Sequence, residues 1–106
     1  RSATLTIVDQ ASEGTDIPLT FIEGENVYEI LNKLMFSEVD WQFEFDHYQV
    51  NNQEEIMVTS VNGYNPVEEE MSWVLKMNGQ TSPNGLLETR PREGDAISLE
   101  LERNQP

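Results

Sequence analysis

The sequence of 106 residues has no cysteine, one histidine and only six basic residues against 20 acidic ones. Without cysteine there can be no disulfide, no thiolate zinc site and no cysteine nucleophile. The formal net charge of −14 repels phosphate backbones and anionic lipid heads, which argues against nucleic acid or a membrane surface as partner. No apolar run approaches the roughly 18 residues of a membrane span, so no membrane insertion by this segment is expected. There is no P-loop, no G-x-G-x-x-G and no G-x-S-x-G. Carboxylate pairs such as Glu93/Asp95 are expected by chance among so many acids and make no acid–base set. The chain therefore reads as a non-enzyme: catalytic residues none, cofactors none. Its start, Arg1-Ser2-Ala3, has neither initiator Met nor signal peptide. This predicts a piece of a longer precursor whose export signal or anchor lies elsewhere.

What is present suits a single domain over residues 1–106, with an ordered core over 4–102. Apolar residues make up 37%, and nine aromatics carry much of the packing. Leu5 and Ile7 alternate with Thr4 and Thr6, a first strand. "DQASEGTD" (Asp9 to Asp16) breaks it, and Ile17, Leu19 and Phe21 resume the alternation as the second arm of a hairpin. Pro18 cannot donate a ladder bond, which predicts an edge strand or an outward-facing proline nitrogen. Val27, Ile30, Leu31, Leu34 and Met35 make one apolar stripe at helical spacing, with Asn26 as N-cap and Glu29 completing a capping box; the helix should run over about 27–36. "WQFEFDH" (from Trp41), "IMVTSV" (Ile56 to Val61), "SWVLKM" (Ser72 to Met77) and "AISLELE" (Ala96 to Glu102) read as further strands. The polar tail "RNQP" should fray. Hairpin, helix, then strands predicts an α+β, β-grasp-like fold: a mixed four- to five-stranded sheet packed on one helix.

Few residues suggest chemistry. His47, with Asp46 or Glu44, reads either as a metal ligand or as a half-buried histidine ending its strand. Neighbouring strand residues face opposite ways, which favours the second reading. Glu68-Glu69-Glu70 lacks the spacing and glycine of a calcium loop and reads as a solvated charge run, so no metal site is assigned. Trp73, with Leu75 and Met77, either fills the core beneath the helix or marks the rim of a binding surface; core packing is the simpler reading. Asn62-Gly63, Asn78-Gly79 and Asn84-Gly85 are turn pairs, since both residues tolerate positive φ.

Five segments in order also resemble a known family. "GENVYEILNKL", "MVTSVNGY" and "SWVLKMNGQTSPNGLLETRPREGDAISLEL" are similar to the C-terminal domain of transcobalamin and intrinsic factor, and closer still to bacterial transcobalamin-like domains. The resemblance spans about Leu5 to Leu101 and implies a β-grasp fold. In the animal carriers this domain covers one face of cobalamin while a larger helical domain holds the other. Carried over by position, the ligand-binding residues are Trp73, Val74 and Leu75 in the strand and Asn84, Gly85, Leu86 and Leu87 in the loop. Val74 stands where the carriers tend to have Gln. The resemblance implies a cobalamin-like ligand and an extracellular or cell-surface location, whether secreted, lipid-anchored or wall-attached. Two other expectations stay open beside it: a cell-surface module that binds a protein partner, and a metal-binding domain using the acidic loops.

Overall fold

The computed structural model describes residues 1–8, 14–37, 40–82 and 85–104. Most of the break expected over Asp9 to Asp16 lies outside them. Ser2–Val8 (β1) and Gly14–Thr20 (β2) form the expected antiparallel hairpin, with Leu5 opposite Ile17 and Ala3 opposite Leu19. Beyond its open end Arg1 and Phe21 exchange both backbone bonds at 3.0 Å. Such doubly bonded pairs recur every second residue, so Asp16, Pro18 and Thr20 turn their backbone groups away from β1. Pro18 thus sacrifices no ladder bond, and β2 is an edge strand.

The helix, α1, spans Val27–Ser37. Asn26 Oδ1 accepts the Glu29 N–H at 2.8 Å, and Glu29 Oε1 accepts the Asn26 N–H at 3.1 Å. Two otherwise orphaned N–H groups are satisfied reciprocally, as the capping box predicts. Val27, Ile30, Leu31 and Leu34 are buried, and Met35 packs half-buried against the same cluster.

The remaining strands are Phe43–Val50 (β3), Gln53–Val61 (β4), Met71–Met77 (β5), Gln80–Thr81 (β6) and Ala96–Arg103 (β7). The main sheet has the order β2-β1-β7-β5-β6, with β1 parallel to β7 and its other neighbours antiparallel. This is the expected α+β, β-grasp-like architecture. Its inner face joins Leu5, Ile7, Ile17, Leu19, Ile97 and Leu99 to the helix stripe in one core. Its outer face is polar: Thr6 donates to Asp16 at 2.7 Å, and Lys76 bridges Glu102 at 2.7 Å and Glu100 at 3.3 Å. Only the inner face therefore needs covering.

The structure differs from expectation in one main respect. The strands β3 and β4 do not enter the main sheet but form a two-stranded sheet of their own. Asn51 and Asn52, with φ of 52° and 67°, close them into a tight hairpin. The inner face of this hairpin, with Phe43, Ile56 and Val58, completes the core. Although β4 lies beside β5, the groups that would pair them are taken by the loop between β5 and β7. Leu86 N–H donates to Ile56 O at 3.5 Å, and Ser82 N–H donates to Leu75 O at 3.0 Å.

Smaller differences have local causes. Phe43 rather than Trp41 opens β3, because Asn62 occupies the backbone of Gln42: its Oδ1 accepts the Gln42 N–H and its own N–H donates to the Gln42 O. Trp41 instead stacks on Phe43, ring centroids 6.5 Å apart. Of the tail expected to fray, Arg103 closes β7 and Asn104 N–H donates to Glu70 O at 2.8 Å. Gln105 and Pro106 lie outside the described residues.

Candidate functional site

Between β4, β5 and residues Thr81, Ser82, Gly85 and Leu86 lies a cleft of about 140 Å³. It gathers five of the seven positions carried over from the resemblance: Trp73, Val74, Leu75, Gly85 and Leu86. Leu87 is half-buried against the core but does not line the cleft. Asn84 lies outside the described residues.

The five do not present a bare apolar face. Trp73 is 7% exposed and Leu86 2% exposed, so both belong to the core. The indole ring stands edge-on to Tyr64 at 6.4 Å, and its N–H donates to Tyr64 O at 3.3 Å. A buried indole normally finds such a partner, and its polar handle is accordingly used inside the protein. Core packing is therefore what Trp73 does here. Only its flank reaches the cleft, and it also bounds a second hollow of about 170 Å³ lined with Met57, Pro66 and Val67.

Val74 and Leu75 are half-buried in β5. The two-residue turn Asn78-Gly79, with φ of 53° and 84°, sends the chain back as β6. Asn78 holds the turn to β7: its Oδ1 accepts the Ala96 N–H at 2.9 Å and its amide donates to Asp95 at 3.1 Å. The turn expected at Asn84-Gly85 lies partly outside the described residues. A Cβ on Gly85 would meet the end of the Glu55 side chain from β4, Oε1 at 2.0 Å, so a larger residue here needs that side chain to move aside.

Several lining residues were not foreseen, and two of them are large exposed hydrophobics. Tyr48 and Met57 are among the exposed large hydrophobic residues and stand at the rim, 40% and 38% exposed. The strand expected to end at His47 continues through Val50, which brings Tyr48 into it. The Asn51-Asn52 pair was the sequence signal for that longer hairpin. Among the described residues the cleft lining carries no Asp, Glu, His, Lys or Arg, and it can hold apolar or aromatic groups by contact.

The remaining candidates stand apart. His47 is exposed rather than half-buried, its Nδ1 2.9 Å from Glu54 Oε1 and its ring edge-on to Tyr28. Glu68, Glu69 and Glu70 are exposed around the 3-10 turn Pro66–Glu69, as a solvated charge run predicts. Among the described residues, no three His, Asp or Glu side chains gather as metal ligands, and no helix is long and apolar enough to cross a membrane.

The family model described as "Domain of unknown function (DUF4430)" matches residues 24–103. No curated protein sequence matches the chain. Haptocorrin, in its crystal structure in complex with Cbi, is similar with a TM-score of 0.77 and 14% identity. That match covers 98% of this chain but 25% of the haptocorrin chain. A Ruminococcus gnavus ATCC 29149 protein, described as a candidate metal-binding protein, has a TM-score of 0.74 and 17% identity over 99% of each chain. At these identities the likeness shows the fold alone. It is the transcobalamin-like fold that the sequence motifs resemble.

Proposed function

This chain belongs to the DUF4430 family, and we propose that it is a non-enzymatic binding domain for a small flat ligand such as a corrinoid. The observation that carries the reading is the convergence of the Trp73 strand and the 85–86 segment on one apolar cleft, in a fold shared with a protein solved with Cbi. At about 140 Å³ the cleft is well below the roughly 300–1,000 Å³ of a pocket that engulfs its ligand. A flat ligand would lie across the rim on Tyr48 and Met57 and send one side group into the cleft. Because Trp73 and Leu86 are core residues, their part is to shape the cleft floor, and the rim side chains make most of the contact. One open face gives weak affinity, and a second module across the ligand would raise it through effective concentration. We place the domain outside the cell, secreted or attached to the surface, on the strength of the family its motifs resemble.

Calorimetric titration with cobinamide, with tryptophan emission followed in parallel, tests this. The Trp41→Phe variant isolates the Trp73 signal. Quenching that saturates, and that weakens at least fivefold in Tyr48→Ala, is expected. Neither heat nor quenching at ~1 mM ligand, about −4 kcal/mol of binding, would sink the reading for this domain.

A further inference from the structure

A third hollow, about 630 Å³ and far larger than the cleft, lies between the edge strand β2 and α1. Its walls include Pro18 and Leu19 from β2 and Ile30, Lys33, Leu34 and Phe36 from α1. Phe36 is 95% exposed, so the fold itself gains nothing from an aromatic there. The sequence carries 20 acids, yet among the described residues no carboxylate lines this hollow, and the one charged group that does is the Lys33 ammonium. Lys33 pairs with Glu25 Oε1 at 2.9 Å and is half exposed. An ammonium has three N–H donors, so the pair leaves capacity for a further acceptor.

The strand edge narrows the occupant. The backbone groups of β2 that face outward belong to Asp16, Pro18 and Thr20, and the central one has no N–H. A ring at that position also keeps a neighbouring strand from closing to ladder distance, so addition of an extended peptide is disfavoured. An occupant must then engage through side chains. A helix laid in the groove does so, with its own backbone bonds already satisfied.

We propose that the β2–α1 groove docks an amphipathic helix of a protein partner. Its apolar stripe covers Leu19, Leu34 and Phe36, and a carboxylate beside the stripe meets Lys33. The charge match is local: the Lys33 ammonium is shared with Glu25 at 2.9 Å, and acids beyond a Debye length of about 8 Å at physiological salt are screened from the docked helix.

The probe is an alanine-based amphipathic helical peptide with leucines at i, i+3, i+4 and i+7 and glutamates flanking them. A second peptide has lysines in place of the glutamates. Both are titrated against the intact chain at ~0.15 M salt, with backbone amide shifts as the readout. The glutamate peptide is expected to shift β2 and α1 resonances saturably and to bind at least threefold more tightly than the lysine peptide. Bulk attraction to a chain of net charge −14 would produce the reverse preference. Lys33→Glu should invert the order, and Phe36→Ser should weaken binding at least fivefold with the melting temperature unchanged. The proposal is overturned by silence of the groove resonances at ~1 mM peptide. It is equally overturned by a preference that Lys33→Glu leaves in place. Self-association in sedimentation that Phe36→Ser abolishes would assign the groove to a second copy instead.

Discussion

At Gly85 an added side chain would meet the carboxylate end of Glu55. The 2.0 Å separation between an added Cβ and Glu55 Oε1 is far inside van der Waals contact, so either the carboxylate or the loop must move. Gly85→Ala is expected to cost about 1–3 kcal/mol, read from urea midpoints. Glu55→Ala in the same chain should recover most of it, because the obstructing atoms belong to a side chain. Independent, additive costs in that cycle would show that the loop is not seated against Glu55. Glu25 offers a different residue-scale lever. The Ile22 N–H donates to its Oε1 at 2.6 Å and Lys33 bonds the same oxygen, which together hold its pKa below the ordinary 4.5. A carboxylate with a folded pKa lower than its unfolded one contributes stability above the unfolded value and loses it as pH falls through the folded value. Glu25→Gln should therefore lose part of the acid-side slope below about pH 4.5, with little change in that slope near neutrality. Urea midpoints that fall in parallel for both proteins across that range would count against this account.

At the scale of elements, β5 is the hinge between the two sheets, and Trp73 is its anchor. Trp73→Phe keeps an aromatic in the core but deletes the donor to Tyr64 O and leaves a small void. A loss of about 1–3 kcal/mol is expected, with the far-ultraviolet spectrum unchanged. A neutral effect would mean that the indole bond contributes nothing net. The helix and the hairpin arms were legible in the sequence because their signals are local: a capping pair three residues apart, a stripe at helical spacing, alternation in each strand. The edge position of β2 was legible from Pro18 alone. The division into two sheets was not, because it depends on Leu86 capturing the Ile56 carbonyl and Ser82 capturing that of Leu75. Loop geometry of that kind has no periodic signature. The site was legible to the same degree. Motif order located the β5 strand and the following loop, but it did not separate the buried Trp73 and Leu86 from the exposed Tyr48 and Met57, since exposure is settled by the second hairpin.

For the whole molecule the dominant quantity is the imbalance of 20 acids against six bases. The ion pairs formed by described residues are few: Arg1–Glu23, Lys33–Glu25, His47–Glu54 when the imidazole is protonated, and Lys76 with Glu100 and Glu102. Exposed pairs of this kind contribute little each. The excess carboxylates lie on the outer sheet face, the 3-10 turn and the β3–β4 hairpin, where they repel one another across water. The unfolded chain spreads those same charges further apart, so repulsion lowers the stability of the compact state. Added salt screens long-range repulsion more than it screens attractive contacts near 3 Å. The melting temperature should consequently rise by a few degrees between about 10 mM and about 200 mM sodium chloride, where the Debye length contracts from roughly 30 Å to under 10 Å. Sodium and potassium should act alike, because the effect needs ionic strength and no bound ion. Calcium at equal ionic strength should add little beyond this, since no three carboxylates among the described residues gather into a site. A calorimetric melting temperature that fell with salt would assign control to the attractive pairs around Lys33 and Lys76. A calcium-specific rise well above the sodium curve would instead reveal a cation site formed by the acidic loops.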